Sequence, residues 1–228
     1  MEIPKIGNLN ATVLFIDIEN FLSISEVLTP KEIKIFIEKV IDPLSKCIIN
    51  HGGYVCQVQG DAILAVFTSD EQAKPHIRSA VDCALNIQRI LMKLNPITIS
   101  GLYVPLSATI GISSGDMYSC YIDVAGQKEH TVLGKTVSLA SRYQELNKHY
   151  GTNILIDESV FPYINKHTAT RKLDKINIKG CNDSIDLFEV LSHEKHIDKK
   201  NANKRQFRQC RKIKASPGMR EDDSTDNQ

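Results

Sequence analysis

No Cys-x-x-Cys pair occurs among the six cysteines; Cys47, Cys56, Cys83, Cys120, Cys181 and Cys210 are scattered, mostly among apolar neighbours. That spacing reads as free thiols set in a core rather than as a disulfide framework. Missing too are a basic-then-apolar N-terminal leader and any apolar stretch long enough to span a bilayer, so a reducing, cytoplasmic setting without a transmembrane segment is expected. The sequons at Asn10 and Asn182 are then without consequence. Net charge is also nearly absent, at +1 over 228 residues, but it is unevenly spread. Residues 192–228 carry ten Lys/Arg against six Asp/Glu, which leaves residues 1–191 at −3 and excludes nucleic-acid binding by charge from the body of the chain. There is no internal repeat.

What stands out is a pair of acids. Asp17 closes the apolar run from Ala11 to Ile18, and Asp61 opens the run from Ala62 to Phe67 just after Gly60. Taken singly, either fits a turn or a helix cap. Taken together, the Gly60-Asp61 turn returns the chain toward a neighbouring strand and sets one carboxylate beside the end of the first run. An ionised carboxylate beside apolar strands is costly unless a cation compensates it, so the pair points to divalent metal and phosphate chemistry.

Residues 11–18 read as a buried strand leading into a helix. Thr29-Pro30-Lys31-Glu32 spells a second helix start, with Thr29 as N-cap, Pro30 at N1 and Glu32 at N3, ending at His51-Gly52-Gly53. Strands near 54–59 and 62–67 flank Gly60-Asp61. An amphipathic helix follows at about 71–94, then strands near 105–113 and 117–125, and a helix over 135–149. Segments near 153–156, 170–178 and 185–191 close the body. This order predicts an α+β, ferredoxin-like sandwich with helices over a mainly antiparallel sheet, as one domain over 1–191. A polar, basic, disordered tail is expected over 192–228. His193 and His196 form an H-x-x-H there with no third ligand nearby.

Five segments in register resemble the class III nucleotidyl cyclases, and most closely the soluble-type adenylyl cyclases. They are Phe15 to Phe21, Gly60 to Phe67, Ala108 to Gly115, Thr131 to Arg142, and Lys179-Gly180. The resemblance implies the class III cyclase sandwich and closure of ATP to cyclic AMP and pyrophosphate by attack of the ribose 3′-hydroxyl on the α-phosphate. It implies two Mg²⁺ (or Mn²⁺) ions on Asp17, Asp61 and the Ile18 carbonyl, one acting on the hydroxyl and the other on the triphosphate. Backbone amides of Glu19, Asn20 and Phe21 would cradle phosphates. Arg142 would stabilise charge on the α-phosphate, Lys179 would hold the terminal phosphates, and Thr131 would receive the adenine. The site of this family lies between two cyclase domains, so the expected partners are ATP and a second cyclase domain, as homodimer or heterodimer.

The pattern breaks at named positions. Gln57 stands where the family has an adenine-contacting Lys, and an amide can still donate to and accept from a base. Ser138 replaces the ribose-orienting Asn, and Asn20 and Leu22 replace Gly and Thr. A non-catalytic or half-active cyclase-fold module that regulates another cyclase domain is the second reading, and a guanylyl cyclase the third.

Overall fold

A strand that is apolar on both faces needs cover on both sides, and the computed structural model shows how this chain supplies it. The structure describes residues 6–69, 75–166, 168–178 and 184–193. In chain order its first elements are β1 (Gly7–Ile18), α1 (Phe21–Val27), α2 (Pro30–Asn50), β2 (Gly53–Gln59), β3 (Ala62–Thr68) and α3 (Pro75–Leu94). There follow β4 (Ile97–Ile99), β5 (Leu102–Val104), β6 (Ala108–Val124), β7 (Gln127–Leu133), α4 (Lys135–Tyr150), β8 (Ile154–Asp157), α5 (Phe161–Ile164), β9 (Thr168–Ile176) and β10 (Ile185–His193).

The main sheet has eight strands in the order β2-β3-β1-β6-β8-β10-β9, with β7 paired to the far part of β6. Its β6–β8 pairing is parallel, whereas β1 lies antiparallel to both β3 and β6. On one face Leu14, Ile16 and Ile18 pack with Phe36, Val40 and Leu44 of α2 and Ile77, Ala84 and Leu91 of α3. On the other, Ala11 and Val13 meet Val66, Met117, Val132 and Ala140 of α4. The expected α+β sandwich is therefore present, with helices on both faces of a mainly antiparallel sheet.

Local chemistry sets the elements. At the start of α2 the Thr29 hydroxyl accepts from the Glu32 N–H, and the Glu32 carboxylate accepts from the Thr29 N–H, with Pro30 inside the first turn. Helix α4 crosses β6 at Gly111, where an added Cβ would sit 2.0 Å from the Ala140 carbonyl oxygen and 2.4 Å from the Gln144 nitrogen. Only glycine admits that approach. Asp157, 3% exposed, pins the same region by accepting from the hydroxyls of Ser113 and Tyr143 and from the Ser159 amide and hydroxyl.

One expectation is corrected. Residues 105–113 and 117–125 are not two strands, because β6 runs unbroken from Ala108 to Val124 and pairs Gly115 with Ala11. Glycine at 115 makes room rather than a turn: a Cβ there would lie 2.9 Å from the Thr136 hydroxyl. The reversal comes later, at Ala125 (φ 53°) and Gly126 (φ 83°), as the positive φ at both central residues of a type I′ hairpin requires. Its second strand, β7, is polar and largely exposed, and so carries no apolar signature. The short β4–β5 hairpin and α5 also had no sequence signal. Of the cysteines, Cys47 and Cys83 are buried, Cys56 and Cys120 are half-buried, and all four are free thiols. Lys179, Gly180, Cys181, Cys210 and the expected tail from residue 194 onward lie outside the described residues.

Candidate active site

The Gly60-Asp61 turn places Asp61 beside the end of β1, since Ile16 pairs with Ile63 and the next steps along the ladder bring Asp61 level with Ile18. Gly60 takes φ 60°, the left-handed conformation the two-residue reversal needs. Both carboxylates are half-buried. Burial, and next the charge of Asp61, raise the Asp17 carboxyl to about 6, against a smaller lowering by the Gln144 side chain. Asp61 is also pushed up by burial, and the N–H groups of Asp61 and Ile18 oppose that shift. Among the described residues neither acid is in an ion pair. Two desolvated carboxylates with a backbone carbonyl at Ile18 form an all-oxygen donor set, which fits a hard divalent cation of the Mg²⁺ class.

Beyond β1 the chain turns through Asn20, which holds φ 60°. The family's glycine at this position thus has a backbone reason, and asparagine is among the few residues that tolerate it. The Phe21 ring stacks on Phe36 with centroids 6.0 Å apart and anchors α1 to the core, while Leu22 points outward at 75% exposure. Of the three amides expected to face phosphate, that of Glu19 is committed to the Ser107 carbonyl at 2.9 Å. The Glu19 carboxylate accepts from the Ser107 hydroxyl.

Helix α4 carries groups in two directions. Gln144 lies on its buried side and donates to Thr109 Oγ1 at 2.8 Å and to Asp17 Oδ2 at 3.3 Å, so it orients the first carboxylate. Sequence reasoning missed it; the stripe it shares with Ala140 also buries Thr136 and Asn147, so one more polar residue there gave no distinct signal. Ser138 and Arg142, four residues apart, share the exposed side. The Ser138 hydroxyl reaches back to the Gly134 carbonyl at 3.5 Å, and Arg142 pairs with Glu145 at 2.6 Å. The structure does not bring Ser138 or Arg142 to the carboxylates of the same chain.

The expected base contacts sit on β2 and β7. A bulge between Val55 and Gln57 leaves Cys56 and Gln57 facing Leu64 together, with Gln57 exposed. Tyr54 of β2 meets the His130 ring edge-on at 5.6 Å, and His130 is also held by Ser119 at 2.8 Å. Thr131 follows it, half-buried and opposite Cys120. A shallow groove of about 700 Å³ opens near Asn8, Asn10, Asp116 and Gly134. It is at the opposite end of β1 from Asp17, about 23–30 Å along the strand, and so does not belong to the carboxylate pair.

A sequence profile described as the adenylate and guanylate cyclase catalytic domain matches residues 5–192. The chain belongs to that family. This cyclase domain is 31% identical over 201 residues to an adenylate cyclase of Anabaena cylindrica, covering 83% of this chain and 38% of that protein. It is 27% identical over 180 residues to adenylate cyclase 1 of Rhizobium meliloti, covering 79% of this chain and 27% of that protein. It thus spans less than half the length of either relative. The guanylate cyclase domain of RhGC from Catenaria anguillulae, in complex with GTP, matches it with a TM-score of 0.70 at 25% identity, over 82% of this chain and 98% of that one. The adenylyl cyclase CyaB from P. aeruginosa shares the fold at a TM-score of 0.70 and 22% identity, over 83% and 97% of the two chains. Among the described residues no helix of the cyclase domain is long and apolar enough to cross a membrane.

Proposed function

We propose that this domain is an adenylyl cyclase that acts across a dimer of cyclase domains, forming cyclic AMP and pyrophosphate from ATP. The observation that carries the reading is the division of the site. The metal-suited carboxylates Asp17 and Asp61 face inward beside Gln144, while Ser138 and Arg142 face away on the outer side of α4. A second domain is then needed to present an arginine to the nucleotide held at the first. Exposed Tyr118, Tyr121, Ile122, Val124 and Leu133 along the β6–β7 arm supply an apolar surface suited to such pairing.

In this reading Asp17, Asp61 and the Ile18 carbonyl hold two Mg²⁺ or Mn²⁺ ions, whose chemistry is to acidify the ribose 3′-hydroxyl and offset the triphosphate charge. Gln144 fixes the orientation of Asp17. The Asn20 and Phe21 amides take the phosphates with Glu19 bracing the turn. From the other domain Arg142 meets the charge developing at the α-phosphate, Lys179 takes the terminal phosphates as a point charge, Ser138 contacts the ribose, and Thr131 with Gln57 receives the adenine. The names of the two relatives above favour ATP, as does the neutral Gln57. A catalytic unit over 1–191, a tail over 192–228 and a cytoplasmic setting complete the proposal.

The deciding assay is cyclic nucleotide formation by the purified chain with Mn²⁺ and either ATP or GTP, beside an Asp61→Ala control. Cyclic AMP that vanishes in the control supports the reading; cyclic GMP as the main product replaces it with a guanylyl cyclase. The exposed, short Ser138 favours one alternative, in which this chain lends its metal half-site to a different cyclase domain. No rise in rate on mixing with a complementary half that lacks the metal aspartates would sink that version.

A further inference from the structure

Far from the carboxylates, the packing of α2 against α3 brings together three soft ligand groups that the cyclase reaction does not use. Cys47 in the last turns of α2, His51 at its C-cap and Cys83 on α3 have their ligand atoms all within 4.8 Å of one another. Cys47 Sγ lies 3.7 Å from His51 Nδ1. The sulfur–nitrogen edge of a tetrahedral zinc site, from its usual bond lengths, is about 3.6 Å.

We propose that Cys47, His51 and Cys83 form a binding site for a thiophilic divalent cation of the zinc class, clamping the C-terminus of α2 to α3. Two thiolates and a neutral imidazole cancel a charge of +2, which is what a site with Cys47 at 6% and Cys83 at 0% exposure requires. Soft sulfur ligands also separate this site from the hard-oxygen pair at Asp17 and Asp61, so the two select different ions. The ring is already held from behind: Asn86 bonds His51 Nε2 at 2.9 Å and is itself fixed by Arg89 at 2.7 Å. Such outer partners orient a ligating histidine. Ligation through Nδ1 takes that nitrogen off the Cys47 carbonyl, now 2.7 Å away, and moves the ring proton to Nε2, which the Asn86 amide accepts by inverting, giving up the bond its oxygen now takes from Arg89. Binding of the cation expels the protons of both thiols, so it strengthens as pH rises.

The test uses the full chain, stripped of metal and kept reduced with a phosphine, and titrated with Co²⁺. The expected result is a saturable ultraviolet sulfur-to-cobalt charge-transfer band at one equivalent, bleached by Zn²⁺ and unaffected by excess Mg²⁺. The band should fall at least tenfold in apparent affinity in His51→Gln and disappear in Cys83→Ala, yet persist in Cys120→Ala. Absence of the band, or its survival in Cys83→Ala, overturns the proposal, the second outcome assigning the metal to other cysteines. Because Cys83→Ala empties a core position, the wild-type chain is also alkylated with and without Zn²⁺, at a denaturant concentration that labels both buried thiols of the metal-free chain, and its cysteines mapped by mass. Protection confined to Cys47 and Cys83 supports the site. Equal labelling with and without Zn²⁺ overturns it.

Discussion

At neutral pH Asp17 is ionised against the preference of its surroundings, because burial and Asp61 both favour its protonated form. The sign follows directly. A carboxyl raised from 3.8 to about 6 on folding favours the fold while protonated, and this contribution is lost as pH rises through that window. In metal-free protein, Asp17→Asn should therefore leave thermal stability unchanged near pH 4 and raise it above pH 6, measured as Tm against pH. Added Mn²⁺ should reverse the order, stabilising the wild type alone, with an affinity that weakens as pH falls through 6. Asp157 is a buried acid whose role is to accept hydrogen bonds. Its oxygens accept from Ser113, Tyr143 and Ser159, so Asp157→Ala strands several donors at once. A loss of about 3–5 kcal/mol in denaturant unfolding is expected, and one below about 1 kcal/mol would contradict this account.

Among the elements, α4 depends on one missing side chain. With 2.0 Å between a Cβ at position 111 and the Ala140 carbonyl, Gly111→Ala must lift the helix off β6. The expected cost is about 3 kcal/mol or more in unfolding free energy, together with weaker Mn²⁺ binding, since Gln144 moves away from Asp17. A variant as stable as wild type would show that the helix shifts freely. How far such features can be read from the chain depends on whether their cause is local. The capping box at Thr29 and Glu32 and the turn at Gly60-Asp61 are written in neighbouring residues, and the sequence shows both along with the two acids. Gly115 is not of this kind. Its smallness answers to Thr136 on another element, so it resembles a turn until β6 and α4 are seen together. Gln144 escaped notice likewise, because its role exists only once the crossing at Gly111 sets it beside Thr109 and Asp17. The polar strand β7 pairs with an extension of β6 rather than with an apolar core, and alternation gave no warning of it.

For the whole molecule, the proposed division of the site would make activity a property of pairs. Arg142 is exposed and joined to Glu145 by a surface contact worth little to folding, so Arg142→Ala should leave Tm within about 1 °C of wild type and abolish cyclase activity. Mixing Arg142→Ala with Asp61→Ala chains then regenerates one intact site in each mixed dimer. At equal amounts, random pairing predicts recovery of about one quarter of wild-type activity, measured as cyclic AMP formed per chain. No recovery from two folded, dimerising variants would mean that each chain holds a complete site.

The direction of α4 has a further consequence. Gln144 and Arg142 are two residues apart, and so project about 200° apart around one rigid rod. Whatever seats Gln144 firmly against Asp17 also fixes the angle at which the guanidinium leaves the opposite side. If, as proposed, that guanidinium serves the neighbour's nucleotide in a symmetric pair, filling one site stiffens the tool used by the other. Communication between the two halves of such a dimer then needs no hinge and no moving loop, only a helix that cannot roll.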